Sequence, residues 1–216
     1  MTNLFILQLM NGLQFGVLLF LIAAGLTLIF GIMDFVNLAH GVLYMVGGYL
    51  MATFVALTGS FTMGLLLALP TALVVGLALE YLVIRKLYHR SHLDQVLATF
   101  GLLMIITEGV KILWGSSPLS VPIPPLLDGA IPLIGQVKYP IYRLAIIATG
   151  LAAAAGLYLI VNHTRIGMLL RAGATNRNMV AALGVNISRL FRLVFAFGVM
   201  LACFAGMMVA PILSVD

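Results

Sequence analysis

The sequence is poor in charge and in cysteine. Only 8% of its 216 residues are charged and 63% are hydrophobic, whereas soluble domains carry roughly 25% charged residues. This composition excludes a soluble domain, and it is too apolar for an intrinsically disordered chain. A single cysteine, Cys203, allows no disulfide framework and no cysteine-built metal site. The net charge of +5 falls in short clusters between apolar runs, a distribution that does not favour nucleic-acid binding.

Motifs for nucleotide binding and hydrolysis are also missing. The sequence contains no Gly-x-x-x-x-Gly-Lys-Ser/Thr phosphate loop, no His-Glu-x-x-His and no Gly-x-Ser-x-Gly. We therefore expect that the chain is not an enzyme and binds no cofactor or metal of its own. Any ATP-driven work would require another subunit.

What the sequence does contain is long apolar runs. A membrane-spanning helix needs about 20 mostly apolar residues, and six stretches meet this condition: residues 4–30, 38–57, 61–84, 96–114, 144–161 and 193–213. They predict an all-α, polytopic transmembrane helical bundle that forms one domain over residues 1–216. Pairs of small residues at i and i+4, such as Gly12 with Gly16 and Ala202 with Gly206, indicate that its helices pack closely.

Basic residues predict the orientation of the bundle. Eight of the 11 lysines and arginines lie in two loops between spans: Arg85, Lys86, Arg90, Arg165, Arg171, Arg177, Arg189 and Arg192. Cytoplasmic loops carry such an excess, so we expect both loops in the cytoplasm and the N-terminus outside. Residues 115–142 then form an external loop, in which six prolines prevent a continuous helix. Residues 164–192 form a long cytoplasmic loop.

Polar side chains between the first two spans are candidates for function, because polar groups in a membrane are costly. Asp34, Asn37 and His40 recur at i, i+3 and i+6, which places them within about 120° on one helical face. Tyr44 follows one turn later. These side chains either line a cavity or cap the second helix at the cytoplasmic boundary. The neighbouring glycines also allow this helix to be broken, as in many transporter binding sites.

Other polar residues of the spans have structural explanations. For Glu80 and Glu108 we expect local ion pairs or snorkelling to the membrane surface. For Gln8, Asn11 and Gln14 we expect hydrogen bonds between helices.

The long cytoplasmic loop contains a predicted short helix. Thr175 or Asn176 can cap its N-terminus, and Gly184 can end it. Its apolar ridge consists of Met179, Val180 and Leu183. The ridge could dock into a groove of a partner protein. Alternatively, the helix could rest on lipid headgroups, anchored by Arg171 and Arg177.

Two long motifs resemble a known family. Residues 25–41, GLTLIFGIMDFVNLAHG, with YMVGGY at 44–49, resemble the N-terminal signature of the LIV-H-like branch of branched-chain amino acid ABC importer permeases. Residues 165–186, RIGMLLRAGATNRNMVAALGVN, are similar to the cytoplasmic coupling segment of that family. The loop lacks the Glu-Ala-Ala and Leu-Pro of the general importer motif, so its helix is assigned on the pattern of this branch alone.

The resemblance implies which residues carry function. It places coupling to ATPase subunits on Ala174, Asn176, Arg177, Met179, Val180, Leu183 and Gly184. It places the substrate pathway on Asn37, His40 and Tyr44.

The resemblance also implies partners and a location. Such a permease lies in the bacterial inner membrane, pairs with a second, related permease and binds two ATPase subunits, which hold ATP and Mg²⁺. A periplasmic or lipid-tethered binding protein delivers the substrate, and import proceeds by alternating access. Permeases of this branch continue with two further spans, so we expect this chain, which stops after the sixth, to be a C-terminally truncated eight-span permease.

The sequence predicts a range of possible substrates and not a single compound. A zwitterionic amino acid with an apolar side chain suits a path with few charges, because a net-neutral solute needs no fixed counter-ion. The same argument admits urea, short amides and aromatic acids, which permeases similar to this branch transport. A self-sufficient channel or secondary transporter is a further alternative, and it leaves the ordered loop unexplained.

Overall fold

A computed structural model describes residues 2–115, 117–132 and 138–213, with the side chains of residues 2, 3, 177 and 178 excepted. The helices are α1 (Thr2–Met33), α2 (His40–Thr58), α3 (Phe61–Leu82), α4 (His92–Trp114), α5 (Ile141–His163), α6 (Arg165–Thr175), α7 (Arg177–Ala182) and α8 (Ile187–Val209). In the described ranges, six helices are long and apolar enough to cross a membrane, namely all but the short α6 and α7. The predicted six-span helical bundle is therefore confirmed.

Two of the helices begin before their apolar runs do, because a side chain caps the N-terminus of each. Ser91 Oγ accepts a hydrogen bond from the Asp94 amide at 3.3 Å, so α4 begins at His92 and not near residue 96. Asn186 Oδ1 accepts from the Arg189 amide at 3.0 Å, so α8 begins at Ile187 and not at 193. In both helices the first turn mixes polar with apolar residues, and hydropathy alone overlooks it.

The spanning helices define two ends of the bundle. At one end, the Tyr142 hydroxyl at the start of α5 donates to the Met208 carbonyl near the end of α8, at 2.9 Å. There too, Trp114 Nε1 at the end of α4 donates to Thr53 Oγ1 of α2, at 2.7 Å. We call this the hairpin end, because it carries the short antiparallel pair of β1 (Ala130–Pro132) and β2 (Lys138–Pro140). The opposite end, which carries α6 and α7, is the loop end.

The predicted external loop contains no long helix in its described residues, as expected from its prolines. A 3-10 turn at Pro125–Leu127 precedes the strand pair, in which Ile131 faces Tyr139. Helix α5 starts at Ile141, slightly inside the range predicted for the loop.

Helix α8 forms the centre of the bundle. In its apolar 18-residue stretch, 72% of the residues are buried, whereas the share is 17% to 44% in the other five spanning helices. It packs directly on α1, α2 and α3 through glycines. A Cβ atom on Gly206 would overlap the Tyr44 carbonyl of α2, and one on Gly198 would lie 2.8 Å from the Gly25 carbonyl of α1.

The predicted close packing of small residues holds at some positions only. Gly206 lies in the tight contact of α8 with α2, Ala202 is fully buried, and Gly150 of α5 packs on Val17 of α1. For Gly12 and Gly16 the prediction is wrong within the described part of the chain, where no atom of another element lies within 4 Å of a Cβ at either position.

Candidate functional site

The connection between α1 and α2 is not helical, and it folds back into the bundle. Helix α1 ends at Met33, Asp34 adopts a left-handed φ of 51°, and α2 starts only at His40. The His40 ring lies beside the carbonyl of Ile22, about 16 Å back along α1 from Met33 at 1.5 Å per residue. The prediction that Asp34, Asn37 and His40 share one helical face is therefore wrong. The break lies before α2. The glycine-rich helix itself, which the sequence allowed to be broken, is continuous from His40 to Thr58.

Two side chains of α4 satisfy the backbone of this connection. Gln95 Oε1 accepts from the Val36 amide at 3.2 Å, and Thr99 Oγ1 accepts from the Leu38 amide at 3.1 Å. Both side chains are buried. Non-helical backbone inside an apolar bundle needs such partners, because water is excluded. Sequence analysis missed both residues, although a polar pair at i and i+4 in the first turns of a span is a usable signal.

We expect Thr99→Val to lower the free energy of unfolding by about 1–2 kcal/mol, because the Leu38 amide loses its partner in a buried setting. The measurement is the thermal unfolding midpoint in detergent. Thr107→Val is the matched control on the same helix, since the only partner of the Thr107 hydroxyl in the described ranges is the Leu103 carbonyl one turn earlier, at 2.9 Å. Equal midpoints for the two variants would contradict the role of Thr99.

Asn37 and His40 lie at the start of α2 with unused polar atoms. Asn37 Oδ1 accepts from the Ala39 amide at 3.1 Å, but Ala39 precedes α2, and no side chain of the described residues caps the amides of the helix itself. His40 Nε2 lies 3.1 Å from the Ile22 carbonyl, and because a carbonyl only accepts, Nε2 carries the proton. Among the described residues, neither Nδ1 of His40 nor Nδ2 of Asn37 has a hydrogen-bond partner. One buried acceptor and one buried donor are thus left free.

Tyr44 lines a pocket of about 370 Å³ at the hairpin end, between α1, α5 and α8. Ile22 lines the same pocket, and its carbonyl holds His40. The three predicted pathway residues thus follow one another along the bundle. Tyr44 lines the pocket, and His40 and Asn37 lie successively closer to the loop end. Arg143, which sequence analysis did not propose as a pathway residue, also lines this pocket.

At the loop end, the predicted cytoplasmic segment is ordered and helical. Asn176 Oδ1 accepts from the Met179 amide at 3.0 Å, so Asn176 and not Thr175 caps α7. Gly184 has a φ of 85° just after α7, the left-handed geometry that ends a helix. Both ends of α7 were therefore readable from the sequence.

The exposed ridge of α7 is narrower than predicted. Met179 and Leu183 are 65% and 78% exposed, but Val180 is only 6% exposed and faces inward. The expectation of a three-residue ridge is thus wrong for Val180, because a two-turn helix lying on a surface must bury one side. Of the other predicted coupling residues, Ala174, Asn176 and Gly184 are exposed, and the Arg177 side chain lies outside the described residues.

A buried carboxylate connects α3 to the first turns of α8. Glu80, with 0% exposure, accepts from Tyr88 Oη at 2.7 Å and from Arg192 Nε at 3.2 Å. Its ion-pair partner is therefore Arg192, and the expected local pair with the adjacent basic loop is wrong. Burial raises the pKa of Tyr88 and the bond to Glu80 raises it further, so this hydroxyl stays protonated and donates. Glu108 forms its expected local pair with Lys111 at 2.8 Å.

Comparison with known proteins places the chain among transport proteins. The permease protein BraD of the high-affinity branched-chain amino acid transport system of Pseudomonas aeruginosa is 29% identical, over 93% of this chain and 69% of that protein. LivH of Salmonella typhimurium and LivH of Escherichia coli K12 are each 28% identical, over 98% of this chain and 72% of those proteins. No solved structure is significantly similar.

The family described as "Branched-chain amino acid transport system / permease component" matches residues 8–215. That match covers five of the six spanning helices in full, α1 from residue 8 onward, and the segment of α6 and α7. The chain therefore belongs to this family of multi-pass inner-membrane permeases.

Proposed function

We propose that this chain is the membrane-spanning subunit of an ATP-driven importer for branched-chain or other hydrophobic amino acids. The family and the names of its relatives support the substrate class. The observation that carries the coupling role is α7, a capped helix that presents Met179 and Leu183 to the surface. Exposed apolar anchors on a rigid short helix suit docking into a groove of another protein.

The loop end faces the cytoplasm in this proposal, and the N-terminus faces outside. Support comes from the basic residues, since eight of 11 lie at the loop end, six in its two connections and two in the first turns of α8. Two ATPase subunits, which hold ATP and Mg²⁺, dock at this end. A second permease lies alongside in the membrane, and a binding protein delivers substrate at the hairpin end. This chain supplies the path and performs no chemistry of its own.

Helix α8 transmits the motion of α7 to the path. Only residues 183–186 separate α7 from α8, and α8 then crosses the bundle centre. Its Gly198 abuts Gly25, next to the His40 ring, and its Gly206 abuts Tyr44. A displacement of α7 by closing ATPases therefore changes the packing around His40 and Tyr44. Alternating access then follows as a rigid-body shift of α8 against α1 and α2.

The test is co-purification of the ATPase subunits with a permease that carries Met179→Arg and Leu183→Arg. Both side chains are exposed, so the variant is expected to fold. Charge in an apolar contact should weaken ATPase association by roughly 30-fold, the equivalent of about 2 kcal/mol. ATP-dependent leucine uptake in proteoliposomes should fall with it.

Leu93→Arg is the matched control, because Leu93 is 77% exposed near the start of α4 and lies outside the α7 segment. It should keep both the ATPases and uptake. Retention of the ATPases by the α7 double variant would contradict the coupling role. Leucine flux through this chain without ATPases would favour a self-sufficient transporter instead.

A further inference from the structure

The pocket beside Tyr44 has the lining of a site for a small amphiphilic molecule. Its volume of about 370 Å³ lies within the range of small-molecule pockets, roughly 300–1,000 Å³. Four polar side chains line it: Asn11, Gln14, Tyr44 and Arg143. The rest of the wall is apolar and includes Phe15, Leu18, Leu19, Ile22, Val209 and Ile212. One cation on an apolar wall fits a ligand with one anionic group and a hydrophobic body.

Arg143 supplies that cation without a charged partner. Its Nη1 donates to Asn11 Oδ1 at 2.6 Å, which ties the first turn of α5 to α1. In the described ranges, no carboxylate lies within ion-pair distance of the Arg143 guanidinium. Burial raises the pKa of the nearby Tyr139 hydroxyl, and the positive charge of Arg143 opposes that rise. Among the residues that the structure describes, the positive charge of the pocket therefore has no ion-pair partner.

A carboxylate is the ligand group that matches this charge. Guanidinium presents its N–H groups as a planar fork, which fits two oxygens of one anion. The apolar wall strengthens the attraction, because charges interact more strongly where water is scarce. A phosphate fits the same fork. However, Tyr44 and Ile22 line the pocket, and the Ile22 carbonyl contacts the His40 ring. Continuity with the proposed path favours the transported solute over a lipid headgroup.

We propose that Arg143 binds the carboxylate of a hydrophobic amino acid, whose side chain occupies the apolar wall before the solute passes Tyr44. Asn11 is a positioning residue, because it acts through its hydrogen bond to Arg143. This proposal rests on the proposed function and names the first binding site of the same solute.

The test uses the permease with its ATPase subunits in phosphatidylcholine nanodiscs, without the binding protein. Equilibrium binding of radiolabelled leucine is competed with leucine or with leucinamide, which lacks the carboxylate. Leucinamide should compete roughly 30-fold more weakly than leucine in the wild-type complex. Arg143→Gln should weaken leucine binding by a similar factor and bring the two compounds to nearly equal affinity. Arg143→Lys should fall between, because it keeps the charge but loses the fork.

Lys111→Gln is the matched control. It removes a cation at the same end of the bundle, but Lys111 is exposed and pairs with Glu108 at 2.8 Å, so leucine binding should not change. Asn11→Leu should weaken leucine binding less than Arg143→Gln does and keep the preference over leucinamide, as a positioning role requires.

Two results would overturn the proposal: absence of saturable leucine binding to the wild-type complex, or an Arg143→Gln variant that still prefers leucine over leucinamide. Displacement of bound leucine by phosphatidylglycerol in the nanodisc would identify a headgroup site and would overturn it as well. Leucine uptake by the wild-type complex with its binding protein tests the proposed function separately. If uptake persists while the binding site fails, only the role of Arg143 is lost.

Discussion

Arg192→Leu is expected to lower the free energy of unfolding by about 3 kcal/mol, because it leaves a buried charge without its partner. Glu80 is 0% exposed, and Arg192 Nε lies 3.2 Å from its Oε2. Tyr88 bonds only the other oxygen, at 2.7 Å, and cannot compensate the charge. For a chain of this size the loss corresponds to a drop of roughly 10 °C in the unfolding midpoint. Thermal unfolding of the purified permease in detergent measures it.

The variant that combines Glu80→Leu with Arg192→Leu shows whether the stability loss comes from an unpaired buried charge or from lost packing. Replacing both partners of a buried ion pair by apolar residues is close to neutral, so the double variant should regain most of the lost stability. Tyr88→Phe should cost less than Arg192→Leu, about 1–2 kcal/mol, because only one hydrogen bond disappears. A double variant no more stable than Arg192→Leu would show that the ion pair is not the cause.

Gly206→Ala is expected to have an effect of similar size, about 3 kcal/mol, by separating α2 from α8. The added Cβ would overlap the Tyr44 carbonyl and approach the Gly48 amide, and backbone atoms cannot move aside as a flexible side chain can. Because α8 is the central helix, its displacement would also disturb the contacts around His40. We expect a lower unfolding midpoint together with loss of uptake.

Gly101→Ala is the control for this prediction. Gly101 lies inside α4, and no atom of another element in the described residues is within 4 Å of a Cβ at that position. Alanine favours a helix over glycine by up to about 1 kcal/mol, so this variant should be as stable as the wild type or more stable. A Gly206→Ala protein that unfolds like Gly101→Ala would contradict the close contact of α8 with Tyr44.

Local sequence features predicted much of the architecture. Long apolar runs identified the six spans, and the prolines near residues 118–140 identified the stretch without a long helix. Asn176 and Gly184 identified the ends of α7, because a cap depends on side-chain chemistry within a few residues. The same local reading misjudged the surface of α7, since it could not show that Val180 faces inward.

Polar residues within the spans were located by the sequence but not explained by it. Gln95 and Thr99 became meaningful only once the connection after α1 was seen to fold back beside them. Glu80 was assigned a neighbour in sequence, whereas its partner lies 112 residues away. A buried polar group must find a partner, but its identity depends on which helices pack together.

The sequence by itself determined that this chain resides in a membrane, spans it with six helices and presents a capped helix between the last two. These properties depend on composition and on contacts within a few residues. Only the tertiary structure decided the depth of His40, the pairing of Glu80 with Arg192, and the place of Arg143, bonded to Asn11 at a separation of 132 residues. Such contacts depend on which helices pack together, here α2 on α1, α8 on α3 and α5 on α1, and the apolar runs do not encode which helices become neighbours.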